Sequence, residues 1–248
     1  MSKIAIVTGA SRGIGRAIAL KAAEQGYDVC INYVLDSDAA LATSKECEAL
    51  GVRATTFRGD VAKPEDVAAL FRHCDEALGS VDLLVNNAGI IGQASRLEEL
   101  DLQALKSTFD VNVLGTITCS QEAIRRMSTD RGGHGGVIVN ISSVAAVQGS
   151  PGEYVHYAAS KAAIETLTIG LAKEVGPQGI RVNCVRAGTT DTEIHARTGN
   201  PGRPAMVAKT APLRRVATPD DIAEAVIWLA SERAGFATGS ILGITGGL

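Results

Sequence analysis

Seven short apolar runs alternate with longer segments of helical spacing along the chain. The apolar runs are rich in Val, Ile and Leu and cover residues 4–7, 29–31, 52–57, 81–85, 136–141, 180–185 and 240–244. Because apolar and polar positions do not alternate within them, they predict strands that are covered on both faces, as in a parallel sheet. The segments between them predict helices at residues 14–25, 37–50, 64–78, 102–127, 155–175 and 219–230.

Right-handed crossovers between these elements predict a single α/β domain over residues 1–248. Its fold class is a Rossmann-like doubly wound sheet of seven mostly parallel strands with helices on both faces. Sheets of this kind bind ligands beyond the carboxyl ends of their strands. Residues 187–213 contain Pro201, Pro204 and Pro212 and predict a long irregular loop over that crevice, suited to holding a substrate.

Composition narrows the functional classes. The chain has 248 residues, 46% of them hydrophobic, and a formal net charge of −3 without concentrated Lys or Arg, which argues against nucleic acid or an anionic membrane as a partner. We find no secretory leader and no apolar run of membrane-spanning length, so a cytoplasmic protein is expected. Five scattered cysteines and four histidines lack ligand spacing, which predicts buried thiols and no metal site.

The first strand leads into a glycine-rich turn, Thr8-Gly-Ala-Ser-Arg-Gly-Ile-Gly15, that opens a helix. Glycines let the backbone approach a pyrophosphate, whose charge is met by free N–H groups and the positive end of the helix. The turn lacks the Gly-Lys-Ser/Thr ending of a P-loop, and its alternative interpretation is an ordinary helix start. Its position between strand and helix predicts dinucleotide binding by Gly9, Ser11, Arg12, Gly13, Ile14 and Gly15.

The second strand indicates which dinucleotide is bound. An acidic residue at its end would select NAD by bonding the ribose hydroxyls, but the strand ends Ile31-Asn-Tyr-Val34. Arg12 has a planar guanidinium that suits a 2′-phosphate. NADP is therefore predicted in preference to NAD, with Asn32 and Tyr33 beside it. NAD remains the alternative if Arg12 is only a solvated charge or if Asp36 or Asp38 lies close enough to interfere.

Tyr157 and Lys161 lie four residues apart in a helical segment and so project from one face. An ammonium near a phenol lowers the phenol pKa from its reference of about 10, which makes Tyr157 a candidate general acid and base. Upstream, a strand ends in Ser142-Ser143, where a hydroxyl can polarise a substrate oxygen. We assign that role to Ser143 and the ending of the strand to Ser142.

Taken together, Thr8–Gly15, Asn86-Asn-Ala-Gly89, Ser143 and Tyr157-Ala-Ala-Ser-Lys161 resemble the short-chain dehydrogenase/reductase family over the whole chain. The resemblance implies an NAD(P)-dependent enzyme that transfers a hydride between nicotinamide and a carbonyl or secondary alcohol. In that family Tyr is the acid and base, Lys lowers its pKa and bonds the nicotinamide ribose, Ser orients the carbonyl, and Asn holds a relay water. The residues at these places are Tyr157, Lys161, Ser143 and Asn112.

The same resemblance extends the set of cofactor residues. It adds Asp60, Val61, Asn87, Ala88, Gly89, Gly188 and Thr192, several of which could otherwise be plain loop residues. In the pattern Asn183-Cys-Val-Arg-Ala-Gly-Thr-Thr-Asp-Thr192, alanine stands at position 187 where the family usually has proline. A looser backbone beside the nicotinamide is therefore expected.

The motifs do not specify the substrate or the protein partners. The likeness is nearest to bacterial members described as glucose-dehydrogenase-like or 3-oxoacyl-acyl-carrier-protein-reductase-like, so 3-oxoacyl, ketone and sugar substrates all remain open. An acidic carrier protein could dock on Arg125, Arg126, Arg131 and Lys173. Arg125 and Arg126 equally complement a helix dipole, which we favour slightly.

A further expectation concerns assembly. The resemblance implies a homotetramer whose subunits pair through segments 102–127 and 155–175.

The substrate loop and the competing class of function are the last points. In the loop, Arg197, Arg203 and Lys209 could meet an anionic group, although solvated charges are the simpler account. A dinucleotide-binding sensor without turnover is the competing class of function, and the complete set of Ser143, Tyr157 and Lys161 argues against it.

Overall fold

The computed structural model describes residues 2–193 and 202–248. Within them, seven strands form one sheet: β1 (Ile4–Val7), β2 (Asp28–Tyr33), β3 (Ala54–Arg58), β4 (Leu83–Asn86), β5 (Gly136–Ser143), β6 (Ile180–Ala187) and β7 (Ile241–Ile244). The α-helices are α1 (Gly13–Glu24), α2 (Ser37–Ala49), α3 (Pro64–Ala77), α4 (Leu102–Phe109), α5 (Gly115–Met127), α6 (Ala145–Gln148), α7 (Val155–Val175), α8 (Arg203–Thr210) and α9 (Pro219–Ala230).

The strands are parallel and follow the order β3-β2-β1-β4-β5-β6-β7. The chain winds outward from β1 to β3 and then returns to the other side of β1, where it continues outward to β7. The direction of winding therefore switches between β1 and β4, which opens a crevice at their carboxyl ends. The predicted doubly wound fold is confirmed.

The core lies in two layers, one on each face of the sheet. On one face, side chains of α1 and α9 such as Ile18 and Val226 pack against β1, β2 and β4. On the other face, Phe71 of α3 and Met127 of α5 belong to a second buried cluster. Because both faces are covered, β1 and β4 are buried along their whole length, which explains their uninterrupted apolar sequence.

The helix predicted at residues 102–127 is interrupted. A turn of π-helix, Asp110–Leu114, joins α4 to α5. Its middle residue, Asn112, bonds with both backbone groups of Ile90, which follows β4. Single π turns often mark functional positions, and this one carries the amide that bonds to the loop after β4.

The prediction of an irregular stretch at residues 187–213 is wrong at its far end, where α8 runs from Arg203 to Thr210. Pro204 lies in the first turn of this helix, where a backbone N–H has no intrahelical partner, so the N–H that proline lacks costs no hydrogen bond. The fixed φ of proline also favours the helical conformation. Residues 194–201, which include His195, Arg197 and Pro201, lie outside the described residues.

All five cysteines are free and buried, as the sequence predicts. Burial raises the pKa of Cys119 and of Cys184 to about 12, so both remain protonated thiols near neutral pH. In the described part of the chain, no helix combines the length and apolar character needed to cross a bilayer.

Asn140 of β5 provides a test of how the sheet holds α7. Its amide accepts a hydrogen bond from Asn86 (2.9 Å) and donates one to Thr168 of α7 (2.9 Å), and it is fully buried. We expect Asn140→Leu to lower the free energy of unfolding by about 1–3 kcal/mol, because buried polar partners lose their bonds. Urea denaturation at one fixed protein concentration measures this.

The matched control is Gln103→Ala on α4, where the side chain is exposed and bonds only to Ser107. This change should stay within about 0.5 kcal/mol of the parent protein. Equal stability of the Asn140→Leu variant and the parent would show that the buried amide network does not hold β5 against α7.

Candidate active site

A cleft of about 990 Å³ opens at the carboxyl ends of the central strands. Its wall includes every residue predicted to contact a cofactor: Gly9, Ser11, Arg12, Gly13, Ile14, Gly15, Asn32, Tyr33, Asp60, Val61, Asn87, Ala88, Gly89, Tyr157, Lys161, Gly188 and Thr192. Ser143 lines the same cleft, whereas Asn112 is buried behind the wall. Folding therefore gathers residues from positions 9 to 192 into one place.

The glycine turn requires glycine at several points. Gly9 and Gly13 have positive φ angles of 62° and 55°, and a Cβ on Gly15 would lie 2.4 Å from the carbonyl oxygen of Gly9. The first turn of α1 contains no acidic residue, and its N-cap side chain makes no capping bond. The N–H groups at this helix end are thus available to an anion, which fits the pyrophosphate of a dinucleotide.

Hydrogen bonds from the end of β4 fix this turn. The Asn87 amide donates to the carbonyl oxygens of Thr8 (2.8 Å) and Gly9 (3.1 Å). In return the Thr8 hydroxyl accepts from the backbone N–H groups of Asn87 and Ala88, at 3.0 Å each. Asn87 and Ala88 therefore support the turn as well as lining the cleft. Thr8 was not predicted to have a role. Its position between the first strand and Gly9 is the feature of the sequence that could have indicated one.

The next part of the wall follows β2 and β3. Asn32 is buried, and its side chain accepts a bond from the N–H of Gly9 (3.3 Å) and donates one to the carbonyl of Gly59 (2.8 Å). Its amide thus braces the glycine turn, while Tyr33 faces the cleft. Asp60 accepts a bond from the N–H of Ala62 (3.0 Å) and shapes the loop after β3.

Arg12 has two acidic neighbours in the structure. Its guanidinium lies 3.9 Å from a carboxylate oxygen of Asp36 and 3.5 Å from one of Glu193, and its side chain is 29% exposed. Asp36 is also engaged by the N–H of Ala39 as the N-cap of α2. Asp36 thus lies near Arg12, as the NAD alternative requires, but the distance between them is longer than that of a good hydrogen bond.

Tyr157, Lys161 and Ser143 meet where the first turns of α7 pass the end of β5. Burial raises the pKa of the Tyr157 phenol, and a hydrogen bond with the Ser143 hydroxyl partly opposes this. The Lys161 ammonium lies 5.8 Å from the Tyr157 ring centre and donates to the carbonyl of Ile141 (2.8 Å). Burial lowers the pKa of Lys161 to about 8. The expected lowering of the phenol pKa by Lys161 is not found: burial raises that pKa, and the opposing contribution comes from Ser143.

The two serines at the end of β5 differ in their surroundings. Ser142 is buried and its hydroxyl donates to Glu165 of α7 (2.9 Å), so this hydroxyl is engaged with α7 although the residue lines the cleft beside Ser143. The Ser143 oxygen accepts a bond from the N–H of Ala145 (3.2 Å) at the start of α6. This contact leaves its O–H free to turn toward Tyr157 or toward a ligand oxygen.

Asn112 connects the π turn to both sides of the cleft. Its Oδ1 accepts from the N–H of Ile90 (2.8 Å), and its Nδ2 donates to the carbonyl of Ile90 (2.9 Å) and to the hydroxyl of Ser160 (3.0 Å). Ser160 in turn donates to the carbonyl of Tyr157 (2.7 Å). The sequence analysis did not single out Ser160, although it lies inside the Tyr-Ala-Ala-Ser-Lys motif.

Gly89 marks how closely these groups approach each other. A Cβ at this position would lie 3.3 Å from the Asn112 amide oxygen and 3.4 Å from the Lys161 ammonium nitrogen. A Cβ here would therefore be in tight contact with Asn112 and in ordinary contact with Lys161.

The far wall of the cleft follows β6. The Ala187 carbonyl accepts from the N–H of Val144 (2.8 Å), and the N–H of Gly188 donates to Ile244 (2.9 Å), so the backbone is bonded on both sides although position 187 is not proline. Thr192 reaches back to the glycine turn, where a Cβ on Gly13 would lie 3.4 Å from its methyl carbon. This segment closes the cleft opposite α1.

Comparison with known proteins agrees with this geometry. A family profile described as enoyl-(acyl carrier protein) reductase matches residues 9–248. The chain is 45% identical to the uncharacterized oxidoreductase YgfF of Escherichia coli (98% of this chain, 99% of the relative) and 41% identical to an L-rhamnose 1-dehydrogenase (NAD(P)(+)) of Sphingomonas (99% and 96%). It is 37% identical to the 3-oxoacyl-[acyl-carrier-protein] reductase FabG of Staphylococcus epidermidis (100% and 99%).

A solved structure shows the same fold over nearly the whole length. The crystal structure of a blue fluorescent protein from a metagenomic library, in complex with NADPH, has a TM-score of 0.90 and 36% sequence identity, and the match covers 99% of this chain and 97% of that one. With relatives of this identity along its full length, the chain belongs to the short-chain dehydrogenase/reductase family and is an NAD(P)-dependent oxidoreductase.

Proposed function

We propose that the protein interconverts a carbonyl compound and a secondary alcohol with NADP(H), and that Tyr157 exchanges the proton. The observation that carries this proposal is the meeting of Tyr157, Ser143 and Lys161 in a cleft whose opposite wall is the glycine turn. A bound nicotinamide supplies the hydride in reduction and accepts it in oxidation. The glycine turn, Gly188 and Thr192 would hold the dinucleotide.

Each side chain contributes a separate step. Ser143 donates a hydrogen bond to the substrate oxygen as negative charge develops there. Burial keeps the Tyr157 phenol protonated at neutral pH, which suits it to give a proton to that oxygen. Lys161 would bond the nicotinamide ribose and stabilise the phenolate that results. Asn112, bonded to Ser160 and Ile90, would hold a relay water behind Lys161, as its counterpart does in the family.

Replacement of the phenol tests the proton transfer. We expect Tyr157→Phe to lower kcat by at least about 100-fold, since general acid catalysis contributes on that scale, while the Kd for NADPH from fluorescence titration stays within about twofold, well under 1 kcal/mol. Tyr27→Phe, a change at a buried tyrosine outside the cleft, is the matched control. Full turnover by the Tyr157→Phe variant would refute the mechanism. Dinucleotide binding without turnover of any compound by the parent protein would instead favour the sensor.

NADP is the proposed cofactor because the end of β2 presents Asn32 and Tyr33 instead of an acid, and because Arg12 lies in the cleft wall. The contacts of Arg12 with Asp36 and Glu193 are long and partly exposed, and such pairs contribute little. A 2′-phosphate would offer the guanidinium a stronger, bidentate partner.

Kinetics with both cofactors test this preference. The ratio of kcat/KM for NADPH to that for NADH should exceed one in the parent protein, and Arg12→Ala should lower the ratio about tenfold or more, as the loss of one charge-assisted bond implies. Arg16→Ala is the control, because Arg16 lies on the same helix but pairs with Glu46 outside the cleft. A preference for NADH in the parent protein would overturn the assignment.

The substrate is proposed to be a small hydroxylated carbonyl compound, such as a sugar. Gln93, Gln148 and Ser150 line the cleft, and their side chains bond to no other group in the described part of the chain. Ser150 also has a positive φ of 45°, a backbone conformation that is unfavourable for residues other than glycine. Strained backbone of this kind is concentrated at binding and active sites. Three uncommitted polar groups suit a ligand with several hydroxyls better than an acyl chain.

The proposed docking residues for a carrier protein lie elsewhere. Arg125 and Arg126 end α5, and the chain then enters β5 at its amino end, so both arginines lie at the edge of the sheet opposite the cleft. Arg126 also bonds to Asp75 (2.8 Å) and Glu122 (2.6 Å). The relative named as a rhamnose dehydrogenase supports a sugar substrate, and the relative named as a 3-oxoacyl reductase supports the alternative.

A substrate panel separates these classes. L-rhamnose, D-glucose, ethyl acetoacetate and an acetoacetyl thioester are assayed with both cofactors, and we expect the highest kcat/KM with a sugar. Gln148→Leu should raise the KM for that sugar about fivefold to tenfold by removing one hydrogen bond, with ethyl acetoacetate unaffected as the internal control. Turnover of the thioester with none of the sugars would establish the carrier-bound class instead.

A homotetramer is part of this proposal. Leu102, Leu114 and Ile169 are exposed apolar side chains on the two helical segments expected to pair between subunits. Contacts between subunits would remove this apolar surface from water.

A further inference from the structure

A partly buried ion pair lies directly behind the proposed catalytic residues. Arg186, near the end of β6, donates through Nε to one oxygen of Glu165 (2.8 Å) and through Nη2 to the other (2.6 Å). Glu165 belongs to α7, one helical turn beyond Lys161, and the hydroxyl of Ser142 donates to it as well (2.9 Å). The two charged side chains are only 12% and 25% exposed. We call Ser142, Glu165 and Arg186 the strand–helix junction.

Each member of the strand–helix junction is next to a cleft residue. Ser142 precedes Ser143 on β5, and in the sheet it pairs with Arg186, which precedes Ala187 and Gly188 on β6. On α7, residues 157, 161 and 165 lie at intervals of one turn, so Glu165 shares a helix face with Tyr157 and Lys161. One carboxylate therefore joins the three elements that carry the reacting groups.

The contacts are of the kind that fixes geometry. A bidentate guanidinium–carboxylate pair constrains distance and angle together. The hydrogen bonds that Arg186 donates to Glu165 raise the pKa of Arg186, so the guanidinium stays charged at every working pH. Neither Glu165 nor Arg186 lines the cleft, but Glu165 bonds to Ser142, which does. Their net contribution to stability need not be large, since desolvation offsets much of the attraction.

We propose that Glu165 and Arg186 are positioning residues, which hold the end of β5, the end of β6 and α7 in register so that Ser143 and Tyr157 face one substrate oxygen. This inference rests on the catalytic roles proposed above. It also accounts for a defined backbone beside Gly188 in a chain with alanine at position 187, because the neighbouring Arg186 is anchored to α7.

Kinetics of junction variants test the proposal, with NADPH or NADP⁺ and the panel compound that has the highest kcat/KM. We expect Arg186→Ala and Glu165→Gln each to lower kcat about 10- to 100-fold, the range expected when reacting groups shift by about 1 Å. The Kd for NADPH should change less than about threefold, below 1 kcal/mol. With NADPH deuterated at the transferred position, the isotope effect on kcat should rise, because hydride transfer becomes slower than product release.

Two further variants separate positioning from general damage. Arg186→Lys keeps the charge and one hydrogen bond, and should recover part of the lost kcat. The double variant Glu165→Gln/Arg186→Ala should lose little more than the worse single variant, because both changes break the same contact. Urea denaturation confirms that each variant is folded under assay conditions.

The control is Arg53→Ala, which breaks the ion pair with buried Asp28 at the amino ends of β2 and β3, at the opposite edge of the sheet. It should change stability and leave kcat and the isotope effect unchanged. Parent-like kcat in folded Arg186→Ala, or an equal loss of kcat in Arg53→Ala, would overturn the positioning role. The Tyr157→Phe variant is run in the same assay to separate failure of the positioning role from failure of the proposed mechanism. Full turnover by Tyr157→Phe refutes the mechanism. An inactive Tyr157→Phe variant together with parent-like kcat in the junction variants refutes only the positioning role of Glu165 and Arg186.

Discussion

The hydrogen bonds between the carboxyl ends of β1 and β4 are the interaction on which the cleft depends. Thr8 and Asn87 exchange bonds where the winding of the sheet reverses, so no helix covers the strand ends at this point. The same bonds hold the glycine turn open toward the cleft. A dinucleotide site and a place for chemistry therefore result from one feature of topology.

Burial then determines the chemistry of the reacting groups. The phenol of Tyr157 and the amino group of Lys161 both lie in the interior. Burial raises the pKa of the phenol and lowers the pKa of the amino group, so it favours the neutral form of each. The ammonium is held by the Ile141 carbonyl, and Asn112 is held by Ser160 and Ile90. The side chains proposed to be catalytic are thus fixed by backbone carbonyls and buried hydroxyls of the strands and helices around them.

Charged pairs lie at both edges of the sheet. At the carboxyl edge, the pair of Glu165 and Arg186 lies behind the reacting groups, and Arg12 lies at the dinucleotide end of the cleft, near Asp36 and Glu193. At the amino edge, Arg126 is paired with Asp75 and Glu122. Arg12 in the cleft wall and Arg126 on α5 therefore lie at opposite edges of the sheet.

The sequence alone determined the order of the strands and helices, the glycine turn, and the choice of Tyr157, Lys161 and Ser143 as candidate residues, because these depend on local patterns and on motif spacing. Only the tertiary structure decided that Asn112 lies on a π turn, that α8 forms within the presumed loop, and that Ser142, Glu165 and Arg186 join across three elements. Contacts between residues far apart in the chain leave no local signal. The pKa of Tyr157 likewise depends on burial, which spacing along a helix does not reveal.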